Sequence, residues 1–125
     1  MNERREFVRI IRPLEVDVRS DGDNEFRGVT HDLSMNGLLL SAGATRENGT
    51  VVRCTVYVDG RDGTARIVAT GIVVRQTPEG MAIAFRGIEG LDSLEHLRQL
   101  LRLNAGTELE QVEREIAAHL GLIPR

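Results

Sequence analysis

The 125-residue sequence predicts a mainly β fold, a six-stranded antiparallel barrel followed by C-terminal α-helices. Three observations carry that prediction. From Leu14 onward, short runs alternate apolar and polar side chains, as strands with one wet face do. Turn-forming clusters of Gly, Asp, Asn and Pro separate the runs, mostly with loops short enough for antiparallel neighbours. After Gly90 the apolar period lengthens from two to that of a helix. A sheet of six strands hides its edges best by closing on itself.

The elements follow in order. Leu14, Val16 and Val18 alternate with Glu15, Asp17 and Arg19 in a first strand, and "SDGDN" supplies the turn after it. Residues 25–33 form a second strand whose apolar phase slips between Phe26 and Val29, so a bulge is expected at Gly28. "GLLLSA" is a third strand. "VVRCTVYV" is a fourth, with Val52, Cys54, Val56 and Val58 on one side. "DGRDG" turns the chain into a long fifth strand over 64–75, apolar on both faces in part and broken by Gly71. "TPEG" leads into "MAIAF", with Met81, Ile83 and Phe85 on one face.

Two helices complete the chain. In "LDSLEHLRQLLRL" a stripe runs through Leu91, Leu94, Leu97 or Arg98, and Leu101, and Asp92 with Glu95 has the spacing of a capping box. Thr107 with Glu110 repeats that spacing before the stripe Leu109, Val112, Ile116 and Leu120. A lone helix of this length is marginal and its apolar stripe needs cover. Folding back on the chain at Asn104-Ala105-Gly106 is favoured over pairing with a second copy or docking a partner. The organisation expected is an arginine-bearing loop over 1–12, a barrel over 13–90 and a helical segment over 91–125.

Composition narrows the function classes. The net charge is -3, and the sequence contains no lysine, no tryptophan, one Tyr and three Phe. A DNA- or RNA-binding surface needs a broad positive field, and single-strand binders also use aromatic platforms, so a nucleic-acid role is not expected. Residues 1–12 nevertheless hold four arginines against two glutamates, whereas 108–115 hold four glutamates and one arginine. That distribution suits a small anionic ligand better than a polymer. No stretch reaches the roughly 18 apolar residues of a membrane span, and "MNERREF" lacks the apolar core of a signal peptide, so the expected location is cytoplasmic. Cys54, the single cysteine, reads as a buried small hydrophobe. His31, His96 and His119 lack metal-ligand spacing, and no metal, cofactor or hydrolytic Ser/His/acid set is expected.

Two polar clusters remain. In "RREFVR", Arg5 and Arg9 are four residues apart and can share a side whether the segment is extended or helical. Guanidinium groups bind phosphate oxygens in pairs and stack on bases. In "THDLSMNGLLL", Asp32 offers a carboxylate that can accept from paired N–H groups, such as those on the Watson–Crick edge of guanine. Ser34 adds a short donor or acceptor, and Gly37 allows the backbone to turn or to come close to a ligand. Read alone, the first cluster is also a solvated tail. The second is also a Ser- or Asx-stabilised turn, with Asn36-Gly37 supplying a left-handed step.

Taken together, "REFVR" (Arg5 to Arg9) and "DLSMNG" (Asp32 to Gly37) resemble the R-x-x-x-R and D/N-x-S-x-x-G motifs of the PilZ domain, a bacterial receptor for cyclic di-guanosine monophosphate (cyclic di-GMP). "IVVRQTPEGMAIAF" is similar to the family's late hairpin, and the resemblance covers roughly residues 3–90. It implies a PilZ-type barrel and a non-enzymatic receptor that changes its protein-interaction surface on binding cyclic di-GMP. It also implies site roles. Arg5 and Arg9 clamp phosphates and guanines, and Arg4 matches the extra arginine of members that take a stacked ligand dimer. Asp32 and Ser34 bond a guanine, and Gly37 keeps the path open. Arg75 offers a further charge outside both motifs. A PilZ-like adaptor that works through protein contact without nucleotide is the alternative. Ligand stoichiometry, the protein partner and the choice between monomer and homodimer stay open.

Overall fold

The computed structural model describes residues 7–20 and 25–118. Six strands, β1 (Glu15–Ser20), β2 (Phe26–Ser34), β3 (Gly37–Ala42), β4 (Val51–Tyr57), β5 (Arg66–Thr77) and β6 (Gly80–Ile88), precede helix α1 (Gly90–Leu103). A 3-10 turn over Gly106–Glu108 leads into α2 (Leu109–Ala118). The sheet closes as a barrel in the order β1-β2-β3-β6-β5-β4, and every pairing is antiparallel. The turn expected over 21–24 lies outside the described residues.

The alternation of apolar side chains becomes the inside and outside of the barrel. Val16, Val18, Leu33, Leu40, Val52, Cys54, Val56, Ile67, Met81 and Ile83 all point inward and are buried. At about 1.5–3 kcal/mol for each fully buried aliphatic side chain, this interior is the main favourable term for a chain so poor in aromatics. Burial pushes the Cys54 thiol up to about 12, so it stays protonated within the core.

The phase slip in β2 is real, but it falls elsewhere. Gly28 pairs in register with both Val16 and Ala42, and the shift lies between Thr30 and Asp32, leaving His31 as the extra residue. Val29, outward and partly exposed, belongs to the regular pattern and did not mark a slip. Gly28 is explained by crowding, since a Cβ there would stand 2.7 Å from the Ser41 carbonyl oxygen. In β5 a register shift does fall beside Gly71, and a second, between Val73 and Arg75, makes Val74 an extra residue.

Helix α1 departs from its expected cap and stripe. It begins at Gly90 after Glu89, with no side-chain cap, and Asp92 instead lies in the first turn, where the helix dipole favours a negative charge. Glu89 is held from outside by paired hydrogen bonds from Arg53, each 2.8 Å. Leu91 is exposed, while Ser93, Leu94, Leu97, Leu100 and Leu101 are buried. The Ser93 hydroxyl accepts from the Val68 N–H, seating the helix beside β5. Thr107 falls in the 3-10 turn. In α2, Val112 and Ile116 enter the same core as the barrel, Leu109 is largely exposed, and Leu120 lies outside the described residues.

On the outer wall, Asp17 is buried although it faces away from the barrel interior. Arg61, from the β4–β5 connection, donates to both its oxygens at 2.6 and 3.0 Å, and the Tyr57 hydroxyl donates at 2.7 Å. The Arg61 guanidinium also covers the Tyr57 ring, 4.6 Å from its centroid. The Arg61 hydrogen bond, with help from Tyr57, holds the Asp17 carboxyl below its ordinary range. Because the folded-state value is depressed, this contribution is complete above the unfolded-state value and is lost as pH falls through the folded one. Asp17→Asn is therefore expected to lower the neutral-pH melting temperature. It should also flatten the loss of stability below about pH 4, the range of an ordinary aspartate, as thermal melts across that range would report. Ile116→Ala is expected to cost about 2–5 kcal/mol in urea unfolding, because α2 is part of the core; an unchanged midpoint would mean that it is not.

Candidate functional site

The site is assembled where β2 changes partners. Over Phe26–Val29 the strand pairs with β1, but past that point its neighbour is the segment before β1. The Thr30 N–H donates to the Leu14 carbonyl at 2.9 Å, and the Thr30 hydroxyl both donates to the Arg12 carbonyl and accepts from the Leu14 N–H. Ile10 and Leu33 then exchange two backbone hydrogen bonds, 2.8 and 3.0 Å. Ile10 and Leu33 face inward, so Arg9 on one segment and Asp32 and Ser34 on the other share the outer face.

There the Arg9 guanidinium lies 3.9 Å from the Asp32 carboxylate, and His31 Nδ1 lies 3.5 Å from the same oxygen. Arg9 is about half exposed, whereas the Asp32 side chain retains 12% of its exposure. The bulge at His31 leaves Asp32 on this face and nearly covered. The Val8 N–H, on the other side of Arg9, donates to both oxygens of Glu115 on α2 at 3.1 Å.

Ser34, Asn36 and Gly37 form the turn from β2 to β3. The Ser34 hydroxyl donates to Asn36 Oδ1 at 2.6 Å and accepts from the Asn36 N–H at 3.2 Å. The hydroxyl-stabilised turn is therefore present, but its left-handed step is not. No non-glycine residue among those described has positive φ, and Gly37 at 159° is essentially extended. What Gly37 supplies is proximity. A Cβ there would stand 2.2 Å from the Ile83 carbonyl oxygen, closer than any real contact.

Arg9, Asp32, Ser34, Asn36 and Gly37 line a cleft of about 110 Å3 with Leu38, Leu39, Val74, Arg75, Ala82, Ile83 and Ala84. Its floor is small and apolar, and its polar groups stand at the edges. Four of the six residues singled out from the sequence are thus brought together: Arg9, Asp32, Ser34 and Gly37. Arg4 and Arg5 lie outside the described residues. The floor was not anticipated. Among the described residues no group of three His, Cys, Asp or Glu side chains is placed to hold a metal ion, and no helix is long and apolar enough to cross a membrane.

The PilZ domain family model matches residues 3–103. The chain belongs to the PilZ family. No curated protein matches it in sequence. Among solved structures, it is similar to the Bacillus subtilis inhibitor of motility (MotI/DgrA), with a TM-score of 0.63 and 20% identity over 84% of this chain. The match spans 53% of that protein, about half its length. The PilZ domain of CeSA from a cellulose-synthesising bacterium is similar at TM-score 0.53 and 26% identity, covering 81% of this chain and 98% of that one. The PilZ domain of YcgR from Escherichia coli, solved with c-di-GMP, matches at TM-score 0.58 and 18% identity over 93% of this chain and 98% of that one. These likenesses show the fold.

Gly37→Ala separates a structural from a ligand-clearing role for the motif glycine. With β6 backbone in the way, it is expected to lower stability by about 1–3 kcal/mol or more in urea unfolding without ligand. An unchanged midpoint would leave Gly37 as a residue kept for access alone.

Proposed function

We propose that this PilZ domain is a receptor for cyclic di-GMP and that ligand binding changes the surface it offers to a protein partner. The observation that carries the reading is the convergence of both motifs on one cleft: Arg9 from the first, and Asp32, Ser34 and Gly37 from the second, stand around an apolar floor that includes Leu39, Ala82 and Ala84. The chemistry fits the ligand. Two phosphates call for guanidinium forks, which Arg9, its motif partner Arg5 and, just before the motif, Arg4 supply. A guanine edge presents N1–H and an amino group to a carboxylate, which Asp32 supplies. Adenine has an unprotonated N1 at that edge and leaves the carboxylate partly unmatched. The Ser34 hydroxyl is engaged in the turn, so its role is to hold Asn36 and the entry to β3 while offering its remaining capacity to the ligand.

The route from ligand to surface runs through Val8. That residue follows Phe7 within the motif, is buried in the same core as Val112 and Ile116, and is hydrogen-bonded through its N–H to Glu115. A ligand that reorganises the arginines on either side of Val8 acts directly on the seat of α2. The CeSA and YcgR domains support the reading as PilZ relatives, the latter having been solved with the nucleotide.

Calorimetric titration with cyclic di-GMP, with GTP and cyclic di-adenosine monophosphate as controls, tests this. Binding of the diguanosine ligand is expected, with much weaker binding of the diadenosine one, a preference that Asp32→Ala narrows. Arg9→Ala is expected to weaken binding roughly tenfold to a hundredfold, the worth of a charge-assisted hydrogen bond. No binding by the unaltered protein would leave the adaptor role as the account of this chain.

A further inference from the structure

The cleft has a second wall, and it comes from β5. Asp32 pairs with Leu39, Leu39 with Ala82, and Ala82 with Arg75, so these four residues form one row across β2, β3, β6 and β5. Residues paired directly across an antiparallel sheet project from the same face. Leu39 and Ala82 are on the outside, since Leu38, Leu40, Met81 and Ile83 are the inward, buried residues of those strands. Arg75 therefore stands on the same outer face as Asp32, three strand spacings away, about 14 Å along the sheet.

Two bulges set this row. One extra residue in β2, His31, falls between this row and the Leu40–Met81 pair, and one in β5, Val74, falls between this row and the Leu38–Ile83 pair. Without the second, position 75 would fall one step further along β6 and its side chain would change faces. Instead Arg75 and Val74 both line the cleft, and Val74 exposes 45% of its surface there. Arg75 makes no ion pair and no side-chain hydrogen bond with any described residue. By contrast Arg53, Arg61 and Arg102 are each held by carboxylates. Fully solvated, an arginine has no need of a cleft. Here it faces a small apolar floor whose far edge already carries a guanidinium and a carboxylate.

We infer that Arg75 is a second cationic anchor for the ligand, gripping the phosphate or purine face at the end of the cleft opposite Asp32 and Arg9, with Val74 and Leu39 as the apolar seat between. This rests on the reading of the cleft as a cyclic dinucleotide site and adds a contact that neither sequence motif contains. A planar, always charged fork suits that position because it can pair with phosphate oxygens or lie flat on a base. The floor of Leu39, Ala82 and Ala84 leaves room for a flat ring where larger residues would close it.

The test is calorimetric titration of cyclic di-GMP into the unaltered protein, Arg75→Ala, Arg75→Glu and Arg9→Ala, with thermal melts of each protein without ligand. The expected result is a loss of roughly tenfold to a hundredfold in affinity for Arg75→Ala and a larger loss for Arg75→Glu. Both should melt as the unaltered protein does, because the side chain holds nothing in the fold. If Arg75→Ala and Arg75→Glu bind as tightly as the unaltered protein while Arg9→Ala does not, the second anchor is overturned and the receptor reading stands. If the unaltered protein does not bind the nucleotide, both fall together.

Discussion

Barrel closure depends on how closely β3 and β6 approach. Each strand begins with a glycine set against the carbonyl of the other: a Cβ at Gly37 would meet the Ile83 oxygen at 2.2 Å, and one at Gly80 would meet the Leu40 oxygen at 2.0 Å. The strands they join are far apart in the chain, with two further strands between them, so this pairing closes the longest loop in the sheet. It joins two otherwise separate sets of residues. The Asp32 side of the cleft belongs to β2 and β3, and the Arg75 side to β5 and β6. With the glycines in place, the two sides share a floor.

The N-terminal segment links that floor to the helices. Ile10 extends the sheet by bonding to Leu33, Arg12 reaches Asn104 at the end of α1, and Val8 reaches Glu115 on α2. A few consecutive residues thus touch β2, α1 and α2 while presenting Arg9 at the cleft. Such a segment transmits a change at the site through backbone hydrogen bonds and shared core contacts. The acidic character of α2, which first reads as a solvated face, includes one carboxylate that caps a buried backbone N–H.

Two arginine–aspartate clusters on the same barrel show how environment separates support from recognition. Asp17 is chelated by Arg61, bonded by Tyr57 and held below its usual range, so its lone pairs are committed. Asp32 has Arg9 at 3.9 Å and His31 at 3.5 Å, distances that leave its oxygens able to take shorter bonds. The residue types are alike. The first cluster clamps a loop to the wall, and the second stands at the edge of an open cleft.

The strand order along the chain, the inward residues of β1, β4 and β6 and the helical ending were legible in the sequence, because period-two and period-3.6 burial are written locally. The resemblance of two short motifs to those of the family also grouped Arg9, Asp32, Ser34 and Gly37, which the structure brings to one cleft. The bulges were not legible in place. The sequence reads as slipping near Gly28, whereas the register shift falls at His31, and only the pairing with β3 decides that place. Nor was the Val74 bulge visible, since apolar residues on both faces of β5 read as burial until β6 is laid beside them. The caps expected at Asp92 and Thr107 were overridden by where the preceding backbone entered each helix. Sequence alone determined which residues are apolar, charged or free of a Cβ, and hence the fold class and the motif chemistry. Tertiary structure alone decided register, and register sets Asp32, Leu39, Ala82 and Arg75 in one row, because cross-strand neighbours are fixed by hydrogen bonds between distant segments that no local pattern encodes.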